Sequence, residues 1–360
     1  MNKLAPQLLK FFLFFLFTIF AVEASNAATE PQPSPLRFPQ DHGIHPDTNL
    51  EWWNFYGHML DSNDDLFGFT LTFMRLSAPP QDSQSQWTTK DIFVSYFTIT
   101  DNTAHQFHYQ EKINRTSFNF SGASNDNLGV WNRDWNAIMN NTPLTLQART
   151  DNMALALHLT SVKPVLLFGN NGFFQISPSN NSNAFFYSLP RLEGEGELQV
   201  NSKKYNIVTA IAWMDHASQY ANANTLWDKY VIQLNNNEEI MIFILTSKNS
   251  LYVQPSSFCI INQADGSSVT LPLADFQLSQ LDTWRSPNSD TTYPSGWLLT
   301  IPRLHYRLTI KPSLKNQEIV TLDTTLWDGQ AMVEGEKGNV PITGYAYVEL
   351  SKQNSRSYTL

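Results

Sequence analysis

The feature that most constrains this 360-residue chain is the spacing of its apolar residues, which recurs at every second position and nowhere sustains a helical stripe. Phe67, Phe69, Leu71 and Phe73 alternate with Gly68, Thr70 and Thr72. Met153, Leu155, Leu157 and Leu159 alternate with Ala154, Ala156 and His158, and Leu304, Tyr306, Leu308 and Ile310 with His305, Arg307 and Thr309. Successive side chains of an extended strand point to opposite faces, so each run predicts a half-buried antiparallel strand. Residues 92–99, 230–234, 240–245, 297–301 and 344–350 are further strand candidates. Asp61-Ser62-Asn63-Asp64-Asp65, Ala264-Asp265-Gly266 and Glu336-Lys337-Gly338-Asn339 read as turns between strands. Many short strands without crossover helices imply an all-β fold of sandwiches or up-and-down barrels.

Residues 1–27 read as a signal peptide. Lys3 and Lys10 supply the positive start, residues 11–22 are apolar apart from Thr18, and Ser25-Asn26-Ala27 offers small residues for cleavage. The apolar run is shorter than the ~20 residues that span a bilayer, so no stable membrane span is expected. An exported protein, periplasmic or secreted, is the expectation. Residues 28–37 form an extended Pro-rich arm, with Pro31, Pro33 and Pro35 closely spaced. The rest of the chain is too long for one ordinary core, so two domains are expected, 38–218 and 219–360, with the boundary in the polar stretch after the strand-like residues 207–213.

The net charge of −9 excludes a general attraction to nucleic acid or anionic lipid. The one cysteine, Cys259, lies in an apolar run and reads as a buried hydrophobe rather than a reactive thiol. No phosphate-binding loop, dinucleotide fingerprint, zinc-protease motif or nucleophile elbow is present, and no cofactor is implied.

Three clusters carry polar chemistry. The densest runs from Asp41-His42-Gly43 through His45 to Glu51-Trp52-Trp53 and His58. Histidine and carboxylate exchange protons, and indole walls shift their pKa values; a buried ion-pair network is the competing reading. The spacing of His42, His45 and His58 matches no common zinc pattern. In Trp213-Met214-Asp215-His216, an acid beside a histidine offers an acid–base pair, or else a solvated turn closing a strand. In residues 185–192, Arg191 comes after Tyr187 and Pro190, and a buried guanidinium tying the first cluster's acids together is the favoured reading.

Taken in order, these clusters resemble one family. Asp41-His42-Gly43 with His45-Pro46, Glu51-Trp52-Trp53, Gly57-His58, Arg75, Phe186-Tyr187-Ser188 with Arg191-Leu192, Trp213-Met214-Asp215-His216, Tyr293-Pro294 with Trp297, and Gly344-Tyr345 with Val348-Glu349-Leu350 are similar to the carotenoid 1,2-hydratase-like (AttH-type) secreted lipocalin-like proteins. The resemblance implies two tandem lipocalin-like antiparallel β-barrels holding a hydrophobic, isoprenoid or lipid-like small molecule. It also implies hydratase-type acid–base chemistry, with Asp215 as acid, His216 as its partner, Glu51 orienting water and Arg191 setting their charge. His42, His45, Trp52, Trp53 and Tyr187 would line the ligand. One departure stands out: the family continues Asp-His with Glu-Trp, whereas this chain continues with Ala217-Ser218. A non-catalytic carrier and a secreted hydrolase are the rival expectations.

Overall fold

A computed structural model describes residues 35–77, 90–116, 119–140, 142–177, 182–219, 225–248, 252–321 and 325–351. The expected signal peptide and most of the Pro-rich arm lie outside the described residues. No described helix is long and apolar enough to cross a membrane. The described residues form one compact unit, built on two large antiparallel sheets.

The first sheet has thirteen strands and is a nearly closed barrel. Leu50–Asp61 lies at its centre, paired with Leu66–Ser77 on one side and Lys203–Gln219 on the other; Asp91–Asp101 and Ser182–Val200 flank these. Its two ends meet through side chains. The Asn132 amide donates to Lys112 O at 3.1 Å and Ser95 Oγ at 3.0 Å, and Asn114 donates to Asn132 Oδ1 at 2.7 Å. The second sheet has ten strands and forms a half-barrel. Its centre is Thr225–Leu234, paired with Glu239–Ser247 and Val340–Ser351; Thr325–Lys337 lies beyond the latter. The two-lipocalin expectation therefore holds in architecture.

The alternation works as the sequence predicts along Met153–Ser161, where inward leucines are buried and the intervening residues face solvent. Each inward side chain fully buried in this way contributes about 1.5–3 kcal/mol. Two expectations need correction. In Leu66–Ser77 the polar positions Thr70 and Thr72 are as buried as the phenylalanines, because this strand's outer face packs against the other sheet. The outer faces of Leu50–Asp61 and Lys203–Gln219 do the same, putting Tyr56, Trp213 and Ala217 in one cluster with Val231, Met241, Phe243 and Tyr347. The third alternating run begins two residues late. Pro302 opens a 3-10 turn over Pro302–Leu304, His305 takes a left-handed conformation at φ 58°, and the strand is Tyr306–Pro312.

Turn chemistry sets the register. Asp61 Oδ1 accepts from the backbone N–H groups of Asn63 and Asp65, closing the first hairpin. Gly338 and Asn339 both have positive φ, as the tight hairpin between Thr325–Lys337 and Val340–Ser351 requires.

Candidate functional site

Period-two geometry divides the chemistry-bearing residues between two places. Trp53 pairs with His216 and Glu51 with Ser218 on the inner face of the first barrel, whereas Asn54 pairs with Asp215 on the face turned to the second sheet. Asp215 and His216 are neighbours in the chain and belong to different clusters.

At the inner end of the first barrel, Glu51 is fully buried. It accepts the His45 backbone N–H at 3.1 Å, the His45 ring at 2.9 Å, the His216 ring at 3.0 Å and Arg75 Nε at 3.2 Å. These partners outweigh burial and hold its carboxyl down at about 2. His45 bridges Glu51 to Asp41 Oδ1 at 3.0 Å and is raised by both carboxylates despite its burial. Arg75 reaches Asp91 Oδ1 at 2.9 Å and the carbonyls of His45 and Thr48. Charges thus alternate along Asp41, His45, Glu51, Arg75 and Asp91.

The protons on the rest of this network are set outward from the Glu51 carboxylate, which can only accept. Because Glu51 is a carboxylate, His216 Nε2 donates to it, which leaves His216 Nδ1 to accept the Tyr187 hydroxyl at 2.9 Å. Tyr187 then accepts His42 Nδ1–H at 2.6 Å. Burial lowers both His216 and His42, the latter to about 4, and pushes Tyr187 well up. Trp53 stacks on His216 and donates to His42 O at 3.1 Å. The network ties the short 3-10 turn Gln40–His42 across the barrel end. His45, Glu51 and His216 hold their ligand atoms within 4.8 Å of one another, the one such group among the described residues. A cation there would share Glu51 with the Arg75 guanidinium and displace the His45 proton that holds two carboxylates, so the donor set suits a hydrogen-bonded lock better than a metal.

The second cluster sits between the sheets. Asp215 is fully buried and accepts four donors: Tyr56 hydroxyl at 2.6 Å, Ser188 hydroxyl at 2.6 Å, Trp213 Nε1 at 2.5 Å and Lys229 Nζ at 2.9 Å. Lys229 also pairs with Glu349 at 2.9 Å and lies over the Tyr56 ring. Its two carboxylates hold its ammonium pKa above the usual lysine value despite burial. Trp227 donates to Glu349 at 2.9 Å and lies parallel to Trp52 of the first barrel, their ring centroids 6.4 Å apart. Phe168, Phe186, Phe243 and Phe258 form a contiguous aromatic group along the same seam.

The structure divides the sequence-predicted residues between these clusters. Glu51, His216, His42, His45, Trp53 and Tyr187 meet in the first; Asp215 and Trp52 lie at the seam. The solvated-turn reading of residues 213–216 does not hold, since Asp215 and His216 are buried within Lys203–Gln219. Arg191 does not tie the first cluster's acids. It pairs with Glu239 of the second sheet at 2.6 Å, because the register shift between Leu189 and Leu192 turns its guanidinium out of the barrel; Arg75 neutralises Glu51 instead. His58 lies apart from His42 and His45, its ring tilted against Tyr345 at the seam with centroids 3.9 Å apart, and burial lowers it to about 3. Sequence reasoning gave no role to Lys229, Tyr56, Ser188, Glu349 or Asp328. The available signal was a charge inside an apolar strand run, as in Lys229-Tyr230-Val231-Ile232 and Trp327-Asp328.

The fold is shared with proteins of known structure. An AttH protein of Nitrosomonas europaea superposes with a TM-score of 0.77 at 23% identity, over 88% of this chain and 97% of that one. Kievitone hydratase of Nectria haematococca gives 0.69 at 17% identity, over 89% and 94%. CghA gives 0.53 at 13% identity, over 91% and 96%. No protein of curated function matches the sequence. The model of the AttH-like family matches residues 29–352, and with that span this chain belongs to the AttH-like family.

Proposed function

We propose that this is an exported protein that binds a hydrophobic, isoprenoid or lipid-like small molecule at the seam between its two sheets and performs hydratase-type acid–base chemistry on it. The observation that carries this reading is the Asp215–Lys229–Glu349 cluster, buried beneath the aromatic seam that Trp52, Trp227 and Phe186 help to form. Apolar walls around a few fixed polar groups are what small-molecule sites are made of. The fold of kievitone hydratase is consistent with this chemistry. Position 217, where the family pattern has a glutamate, lies on this same seam, packed with Trp213 and Phe186. A carboxylate at that position would stand beside Asp215 rather than in the lock around Glu51.

The test uses geranylgeraniol as a probe. The full chain is titrated while tryptophan fluorescence is followed, then incubated with the probe in H₂¹⁸O. Saturable quenching that is lost in Trp52→Ala/Trp227→Ala supports binding, and a product heavier by one labelled water supports hydration. Quenching without any product leaves a carrier, a reading favoured by Ala217. Quenching that survives the double substitution removes the seam as the site.

A further inference from the structure

Resting on the seam reading above, we propose that Asp328 is the proton donor of that site, working with Tyr347, Thr70 and Thr98 as a receptor for the ligand's reacting end. Asp215 is already engaged by four partners, and two of them, the Lys229 ammonium and the Trp213 N–H, can only donate to it.

The row of charges across the second sheet explains why Asp328 differs. Asp328 stands directly opposite Glu349 on the neighbouring strand, and Glu349 stands opposite Lys229 on the next. With Asp215 facing them from the first barrel, three carboxyl groups share one ammonium. Lys229 spends its contacts on Asp215 and Glu349 at 2.9 Å each, and Asp328 is left without an ion pair among the described residues. The groups facing it are Glu349, which opposes its ionisation, and Lys229 and Thr70, which favour it; Tyr56 and Tyr347 are close by. Burial and Glu349 prevail, and its carboxyl is pushed up to about 8.

A second observation is independent of charge. Asp328 Oδ2, Tyr347 Oη, Thr70 Oγ1 and Thr98 Oγ1 are all buried and make no hydrogen bond of proper geometry. They cluster: the Tyr347 phenol is within loose hydrogen-bonding reach of Thr70, Thr98 and Thr100, and Asp328 of Thr70. A buried carboxyl, a phenol and two hydroxyls with hydrogen-bonding capacity to spare suit an oxygen function or a reacting water.

The step balances. Asp328 gives its carboxyl hydrogen to one carbon of an isoprenoid double bond, forming a C–H bond and a tertiary cation. Water adds its oxygen to that cation, and the surplus proton returns to the Asp328 carboxylate. One alkene and one water give one alcohol, and the acid is regenerated.

The test has a readout that needs no ligand. Infrared difference titration of the full chain should show a protonated carboxyl C=O band that persists at pH 7, fades with a midpoint near 8 and is missing from Asp328→Asn. Asn mimics the neutral acid in shape, so the variant should melt with the wild type at pH 7. With geranylgeraniol, Asp328→Asn should bind as the wild type does and hydrate at least about 10²-fold more slowly. Absence of the band at pH 7 overturns the proposal whatever the protein binds. Equal hydration by wild type and Asp328→Asn also overturns it, and leaves the seam reading standing. A wild type that shows the band but neither binds nor hydrates the probe removes the seam reading, and Asp328's role with it.

Discussion

Glu51→Gln should destabilise the protein by about 3–5 kcal/mol, because it leaves Arg75 and a protonated His45 facing a neutral amide, with Glu51 and Arg75 both buried from bulk solvent. Two independent routes lead to that size. Removing one partner of a buried ion pair costs about 3–5 kcal/mol in general. The carboxyl itself moves from 4.5 in the unfolded chain to about 2 in the fold, and a shift of that extent corresponds to about 3 kcal/mol. The folded value is the lower one, so this stability is complete above pH 4.5 and is lost as pH falls through 2. At about 2 °C per kcal/mol for a chain of this size, the melting temperature at pH 7 should fall by about 6–10 °C. Urea unfolding at pH 7 and at pH 3 is the assay. The wild type should lose stability between these values and Glu51→Gln should lose less. Parallel pH profiles, or a loss under about 1 kcal/mol at pH 7, would refute the reasoning that Glu51 holds the network together through its charge.

His42 and His58 are both neutral in the fold, at about 4 and about 3 against 6.5 unfolded. Their contribution is complete above pH 6.5 and falls as the unfolded chain takes up protons, so stability should drop by about 2 kcal/mol for each between pH 6.5 and 4.5; a His58→Phe variant with an unchanged slope there would contradict this. Lys229→Met strands Asp215 and Glu349 and should cost about 3–5 kcal/mol by chemical denaturation, whereas Lys311→Met, at an exposed pair with Glu334, should stay within about 1 kcal/mol. Gly68 has no room for a methyl, since an added Cβ would meet Gln330 Cβ at 2.9 Å and Tyr347 Oη at 3.0 Å; Gly68→Ala should push the sheets apart and cost about 1–3 kcal/mol. A double-mutant cycle on His216→Gln and Glu51→Gln should show coupling of about 1 kcal/mol or more, and one on His216→Gln and Asp215→Asn should be additive within about 0.5 kcal/mol. Coupling of the second pair would mean that the two clusters communicate.

The fold class was legible because period two is a local property: the pattern at residues 153–159 says which side chains meet the core without any knowledge of the partner strand. What lies on the other side of the outer face is not local. Thr70 and Thr72 read as solvent-facing because small polar residues satisfy either water or a second sheet, and the difference lies in contacts distant in the chain, such as Gln330 with the Phe67 carbonyl and with Asn102, and Gln317 with Thr100. The opening motif was legible as a unit, since Asp41, His45 and Glu51 lie within hydrogen-bonding reach along the chain. Arg191 was misplaced because a register shift in Ser182–Val200 changes the face a side chain takes, and nothing in Leu189-Pro190-Arg191-Leu192 marks on which side of the shift the guanidinium falls. Leu304 was misplaced for a similar reason: Pro302 sets up a turn whose left-handed exit at His305 interrupts the alternation.

The two buried clusters differ in a way that separates scaffold from site. Around Glu51 the charges alternate, the carboxylate has a donor on each oxygen, and the side chains bind backbone of the 40–48 segment; such a network rigidifies what it ties and asks for nothing further. At the seam, three carboxyl groups face one ammonium, and Asp328, Tyr347, Thr70 and Thr98 hold buried polar atoms with hydrogen-bonding capacity to spare. Apolar residues of the same volume would seal that interface at lower free energy. Under the proposed function, the ligand's polar end would engage these seam groups, which would put the chemistry at the seam and leave the histidine cluster that dominates the sequence to hold the first barrel shut behind it.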